Sequence, residues 1–155
     1  MVPPPAPPGG RFDGPLHRFA VRAYYEDTDL SGVVYHANYL RWFERARSDM
    51  LLLLGIDQRA AIEAGEGAWA VADLTIQYRA PARLDDVVVI ESTCVKLGAA
   101  SVEMRQRGLR GDRLLAQAEL RIGFVAPDGR PRRQPQAWRK AFSAILSESP
   151  ACPIC

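Results

Sequence analysis

The spacing of apolar residues divides this chain into stretches of period two and one long stretch of period near 3.6. From His17 to Glu26, Phe19, Val21 and Ala23 alternate with Arg18, Ala20 and Arg22, which predicts a first strand. From Asn38 the period changes. Tyr39, Trp42, Phe43, Ala46, Met50, Leu53 and Leu54 fall on one helix face, with Arg41, Glu44, Arg45, Arg47 and Asp49 on the other. Gly55 stands where such a helix takes its terminal glycine. Beyond it the chain reads as strands up to residue 125. Leu74, Ile76 and Tyr78 alternate with Thr75, Gln77 and Arg79, and Val102 with Met104 continues the alternation. Val87-Val88-Val89-Ile90 is a β-branched run, expected of a central strand buried on both sides. Ala116, Ala118, Leu120, Ile122 and Phe124 oppose Gln117, Glu119 and Arg121. Arg110-Gly111-Asp112-Arg113 predicts a two-residue hairpin turn, and Ala137 to Leu146 a short last helix. The order strand, apolar helix, four antiparallel strands implies an α+β fold in which a five-stranded sheet curls around the helix. The other face or an edge of that sheet then needs cover, which a dimer provides.

At 155 residues with 48% apolar content, the chain is the size of one domain with a real core. A net charge of +2 gives no reason to expect a nucleic-acid partner. The longest aliphatic run, Met50 to Leu54, falls far short of the roughly 20 residues of a membrane span. No basic cluster followed by an apolar stretch opens the chain, so no secretory signal is expected, and three cysteines read as thiols of a cytoplasmic protein. Residues 1–15 hold six of the twelve prolines and are expected to be a disordered tail, with the domain over 16–146 and a frayed end over 147–155. Cys152 and Cys155 have metal-like spacing, but two sulfurs do not complete a tetrahedral site.

The chemistry concentrates where the first strand gives way to the helix. Asp27, Asp29, His36, Asn38 and Glu44 crowd the entrance to an apolar helix, costly placement unless they are paired or useful. A helix N-terminus presents open amides and about half a positive charge, which stabilise an oxyanion. A nearby carboxylate attacks a carbonyl or takes a proton from water. Asp29, with the amides around Val34 to His36 and a glycine at Gly32 for close backbone approach, therefore suits acyl transfer from an activated ester, and a thioester fits best. Asp27 reads as a turn or capping residue. Tyr25 and Tyr35 are candidates for the acyl pocket, against the simpler reading as core aromatics. Glu44 with Arg41 and Arg47 has the spacing of a solvated ion-paired face. Lys96, Arg105 and Arg107 could meet phosphates, although basic residues on strands are usually only solvated.

The run Asp-Thr-Asp-Leu-Ser-Gly-Val-Val-Tyr-His-Ala-Asn-Tyr-Leu from Asp27, followed by Glu44-Arg45-Ala46-Arg47, resembles the signature of hot-dog-fold acyl-CoA thioesterases. The group it is most similar to is the Tol-Pal-associated acyl-CoA thioesterases, relatives of 4-hydroxybenzoyl-CoA thioesterase. The likeness runs from about His17 to Phe142 and includes Tyr78-Arg79-Ala80-Pro81-Ala82-Arg83-Leu84-Asp85-Asp86. The resemblance implies hydrolysis of an acyl-CoA to acid and CoA without metal or other cofactor. It puts Asp29 on the catalytic carboxylate and His36 on the residue whose amide polarises the carbonyl. Gly32, Val33, Val34, Tyr35, Tyr25 and Glu44 then fall around the substrate. It further implies a homodimer with sites at the interface, often paired into a homotetramer. Two rivals remain open: a non-catalytic acyl-CoA-binding or partner-binding dimer, and a dehydratase of the same fold, which the motif spacing fits poorly. Acyl preference depends on pocket depth at residues such as Tyr35, Leu40, Trp69 and Met104.

Overall fold

The computed structural model describes residues 1–147. Its strands are β1 (Arg11–Asp13), β2 (Leu16–Arg22), β3 (Ala68–Tyr78), β4 (Val87–Leu97), β5 (Ser101–Arg110) and β6 (Arg113–Val125). Its α-helices are α1 (His36–Leu53), α2 (Gln58–Glu63) and α3 (Gln136–Ala144). All strand pairs are antiparallel, in the order β1-β2-β4-β5-β6-β3. Along β4 and β5 every second residue is buried, and these inward faces close on α1. Register shifts between Val71 and Asp73 and between Cys94 and Lys96 add the local twist that lets so long a sheet curl.

The core divides along α1. Its first half sets Tyr39, Trp42, Phe43 and Ala46 against Val88, Ile90, Leu115 and Ala118. Its second half sets Met50 and Leu51 against Cys94, Met104, Ile122 and Phe142. Burial pushes the Cys94 thiol up to about 11, the environment of an inert core sulfur. At the division Gln106 of β5 is fully buried. Its Nε2 donates to the Phe43 carbonyl and to Ser92 Oγ, both at 2.9 Å, and its Oε1 accepts from Arg47 Nη1 at 2.8 Å.

Several expectations need correction. The sheet has six strands, because β1 pairs with β2 inside the stretch expected to be a tail. Asp49 on α1 accepts from the Gly10 amide at 3.0 Å and sits 2.7 Å from the buried His17 Nε2, while Phe12 meets the His17 ring edge-on. A side chain at Gly10 would lie 2.4 Å from the Arg18 carbonyl, so this close approach admits only glycine. The first strand stops at Arg22, and Tyr25–Asp27 is a 3-10 turn. α2 falls where only strands were expected. It is six residues long, too short to display a period, and is capped by Asp57, which accepts the Ala60 amide at 2.9 Å. Within one chain Val87 is exposed, so the β-branched run is buried on one side only. Arg47, assigned to the solvated face, is partly buried instead and bonds Gln106 in place of Glu44. Leu51 replaces Leu53 in the core, Leu53 being half exposed. Ser147 donates its amide to the Cys94 carbonyl at 2.9 Å. Cys152 and Cys155 lie outside the described residues.

Candidate active site

The loop from Tyr24 to Tyr35 is shaped by backbone hydrogen bonds. The Asp27 side chain accepts the Tyr24 amide at 2.8 Å, the turn role read from the sequence. The Asp27 carbonyl accepts twice, from the Tyr35 amide and from Asn38 Nδ2, each at 2.8 Å. Asn38, in the first turn of α1 and buried, thus ties the loop to the helix it enters. Asp29 and Gly32 close the turn between them: the Asp29 amide donates to the Val33 carbonyl, the Gly32 amide to the Asp29 carbonyl, both at 3.0 Å. Gly32 sits at φ +80, and a Cβ there would meet nothing within 4 Å. The glycine therefore serves backbone conformation in this turn, and no side chain blocks the space beside it.

Asp29 carries its carboxylate at the tip of this loop, open to solvent within a single chain. The Ser31 hydroxyl donates to Oδ1, and the Ser31 amide does so at 2.8 Å. These bonds, the hydroxyl first, hold the carboxyl below its ordinary range, with a smaller contribution from the charge of His36. The group is ionised at neutral pH.

Of the amides expected to face a substrate, two are already used. Val34, buried, donates to the Ala82 carbonyl at 2.8 Å, and Tyr35 donates to Asp27. His36 and Ala37, the first helical residues, keep amides with no acceptor among the described residues. The opening therefore belongs to the first turn of the helix itself. Val33 is half-buried and bridges to Arg83. Tyr25 is 85% exposed, far from the core role that aromatics usually take. The exposed Tyr35 ring lies 4.5 Å from that of His36.

Tyr78, at the end of β3, joins the site although the sequence offers it no chemical role. Its hydroxyl donates to the His36 carbonyl at 2.8 Å, and its ring sits edge-on to those of His36 and Tyr39. Burial raises its pKa, so it remains a protonated donor. Its presence in the family-like stretch was the available signal. Glu44 lies two turns along α1, exposed, and lines a cavity of about 240 Å³ between α1 and β3 together with Arg47, Leu51, Gln58, Trp69 and Val71. The structure does not bring Glu44 to the Asp29 loop within one chain: helix rise alone separates it from His36 by roughly 12 Å. Lys96, Arg105 and Arg107 stand on the strands in ion pairs with Glu103, Glu119 and Glu91. Trp69 lines the α1–β3 cavity, whereas Met104 is core. Among the described residues no group of three or more His, Cys, Asp or Glu is placed to hold a metal ion.

Known proteins share the sequence and fold of this chain. Residues 31–117 match the family model described as the thioesterase superfamily. The chain is 40% identical over 124 residues to an acyl-CoA thioester hydrolase, YbgC, of Escherichia coli O6:H1, covering 79% of this chain and 92% of that one. It is also 40% identical over 107 residues to the acyl-CoA thioesterase YbgC of Haemophilus influenzae, covering 69% and 79%. A crystal structure of a probable thioesterase from Bartonella henselae superposes with a TM-score of 0.73 at 36% identity, over 77% of this chain and 99% of that one. The curled sheet around α1 is thus the hot-dog fold expected from the motif, and the chain belongs to the thioesterase superfamily.

Proposed function

We propose that this chain hydrolyses an acyl-CoA to free acid and CoA, with Asp29 as the reacting carboxylate and the opening amides of α1 as the oxyanion site. Water oxygen ends on the acyl carbon, the carbon–sulfur bond breaks, and the sulfur leaves as CoA thiolate and takes a proton. Asp29 acts either by attacking the carbonyl carbon or by taking the proton from water. The His36 amide, backed by the positive end of α1, stabilises the negative oxygen. Tyr78 holds the His36 carbonyl and so fixes the first turn. The observation that carries this reading is the pairing of an ionised carboxylate on a backbone-fixed loop with unclaimed amides at the helix it enters.

The functional unit is a homodimer, paired again into a homotetramer, in the cytoplasm. Support for the dimer comes from what one chain leaves open. β3 pairs only with β6 among the described residues, Tyr25, Leu30 and Tyr35 are exposed along the loop that carries Asp29, and Tyr78 is exposed against His36. A second copy on this side would cover that apolar collar and enclose the carboxylate, with Tyr25, Val33 and Tyr35 against the substrate. No helix among the described residues is long and apolar enough to cross a membrane.

The test is Asp29→Asn, assayed by released thiol on short, aromatic and long acyl-CoAs. Turnover is expected to fall by about 10²-fold or more. Unchanged turnover on a substrate that the unaltered protein cleaves removes the mechanism. Tight binding with no cleavage by the unaltered protein across the panel favours the non-catalytic reading.

A further inference from the structure

The cavity between α1 and β3 is lined by a cation that nothing among the described residues uses fully. Arg47 is partly buried, and among the described residues its one hydrogen bond is to Gln106 Oε1 at 2.8 Å. No carboxylate lies within ion-pair distance of it among the described residues, although Glu44 stands one turn away at the cavity rim. Trp69 lines the same cavity, but its indole N–H is buried away from the opening, in a ring packed against Phe124, Trp138 and Phe142. Withdrawn cations and donors cost free energy unless something accepts from them. Gln106 explains how the guanidinium is held. With its amide nitrogen committed to Phe43 and Ser92, its oxygen can only accept, and it points one arm of Arg47 into the core. The remaining N–H groups of that planar fork are left for a ligand.

The cavity also lies in line with the reacting end of the site. His36, Leu40, Glu44, Arg47 and Leu51 follow one another at i, i+3 and i+4 steps along α1. Arg47 is roughly 16 Å along the axis from His36, and side chains on a helix lean back toward its N-terminus. Gln106 is itself bonded to the Phe43 carbonyl, one turn nearer His36, so the guanidinium leaning back onto it lies roughly 10 Å along the axis, a gap an eight-carbon acyl chain spans.

We propose that this cavity receives the far end of the acyl chain, and that Arg47 selects acyl groups carrying an oxygen acceptor there, a hydroxyl or a carboxylate, over plain alkyl chains. The inference rests on the acyl-CoA hydrolase reading above. Gln106 is the positioning residue that presents Arg47.

The experiment compares kcat/KM for octanoyl-CoA, 8-hydroxyoctanoyl-CoA and the mono-CoA thioester of octanedioic acid, using the full chain. At least one oxygenated substrate is expected to exceed octanoyl-CoA by about tenfold or more. A preference for the diacid identifies a carboxylate ligand, and a preference for the hydroxyacyl substrate a neutral oxygen. Arg47→Met is expected to bring the ratio near one. Each ratio is taken within one preparation, so partial misfolding cancels. Cleavage of octanoyl-CoA with no preference for either oxygenated partner overturns this proposal and leaves the hydrolase reading standing. A ratio unmoved by Arg47→Met also overturns it. Failure to cleave any of the three, and any of the wider panel, removes both.

Discussion

The two ends of the α1 entrance are held by different means. Just inside the helix, Trp42, Phe43 and Ala46 are at most 2% exposed and are fixed by contact with four strands. In the loop before it, Tyr25, Asp29 and Tyr35 are exposed and owe their positions to backbone hydrogen bonds. Side chains in the first region cannot change without disturbing the fold. Those in the second are free to meet a substrate because other groups carry the structure. The sharpest way to break this contrast is Phe43→Ala, which leaves a cavity beside Val88 and Ile90. It is expected to cost about 3–5 kcal/mol in denaturant unfolding. Asp29→Asn in the same experiment is expected to leave the unfolding midpoint close to that of the unaltered chain. A comparable loss from both would mean that the loop is part of the core.

Asn38 joins the two regions, and its removal tests the join. Asn38→Ala deletes the bond to the Asp27 carbonyl, which keeps the Tyr35 amide as a partner. About 1–2 kcal/mol of stability is expected to go. Turnover measured well below the melting temperature is expected to fall along with it, because the Asp29 loop loses its tie to α1. A stability loss with unchanged kcat would show that the loop keeps its shape without Asn38.

The same contrast explains what could be read from the sequence. Strand periods and the helix face were legible because they repeat, and repetition records burial. Trp42, Phe43, Ala46 and Met50 are buried as the spacing requires. Arg47 was misplaced because periodicity cannot see a buried partner on another strand, and Gln106 lies 59 positions away. β1 was missed because prolines upstream of it dominate its composition, while the contacts that order it come from His17 and Asp49. At the site, residue types revealed which groups gather at the helix entrance. They did not reveal that Val34 and Tyr35 spend their amides on Ala82 and Asp27, leaving the helix's own first turn open. Such partners are set by the path of the loop, which one strand-to-helix motif does not encode.

The smallest expected effect concerns the charge on Asp29. The Ser31 hydroxyl is the largest cause of its lowered pKa, with the Ser31 amide next. Both bonds favour the ionised form, so the working carboxylate persists as pH falls through the ordinary carboxylate range and is lost only below it. If ionised Asp29 drives the reaction, the acid limb of kcat/KM lies correspondingly low. Ser31→Ala removes the hydroxyl and keeps the amide, so the limb is expected to move up in pH by part of the original displacement. At neutral pH both carboxylates are ionised and the rates are expected to differ little. Linkage gives the exposed Asp29 only a small, screened share of the stability lost in acid, so a pH-rate profile read beside a pH-dependent melt separates the two. An acid limb that stays in place when the hydroxyl is removed would mean that another group, not Asp29, sets the ionisation on which turnover depends.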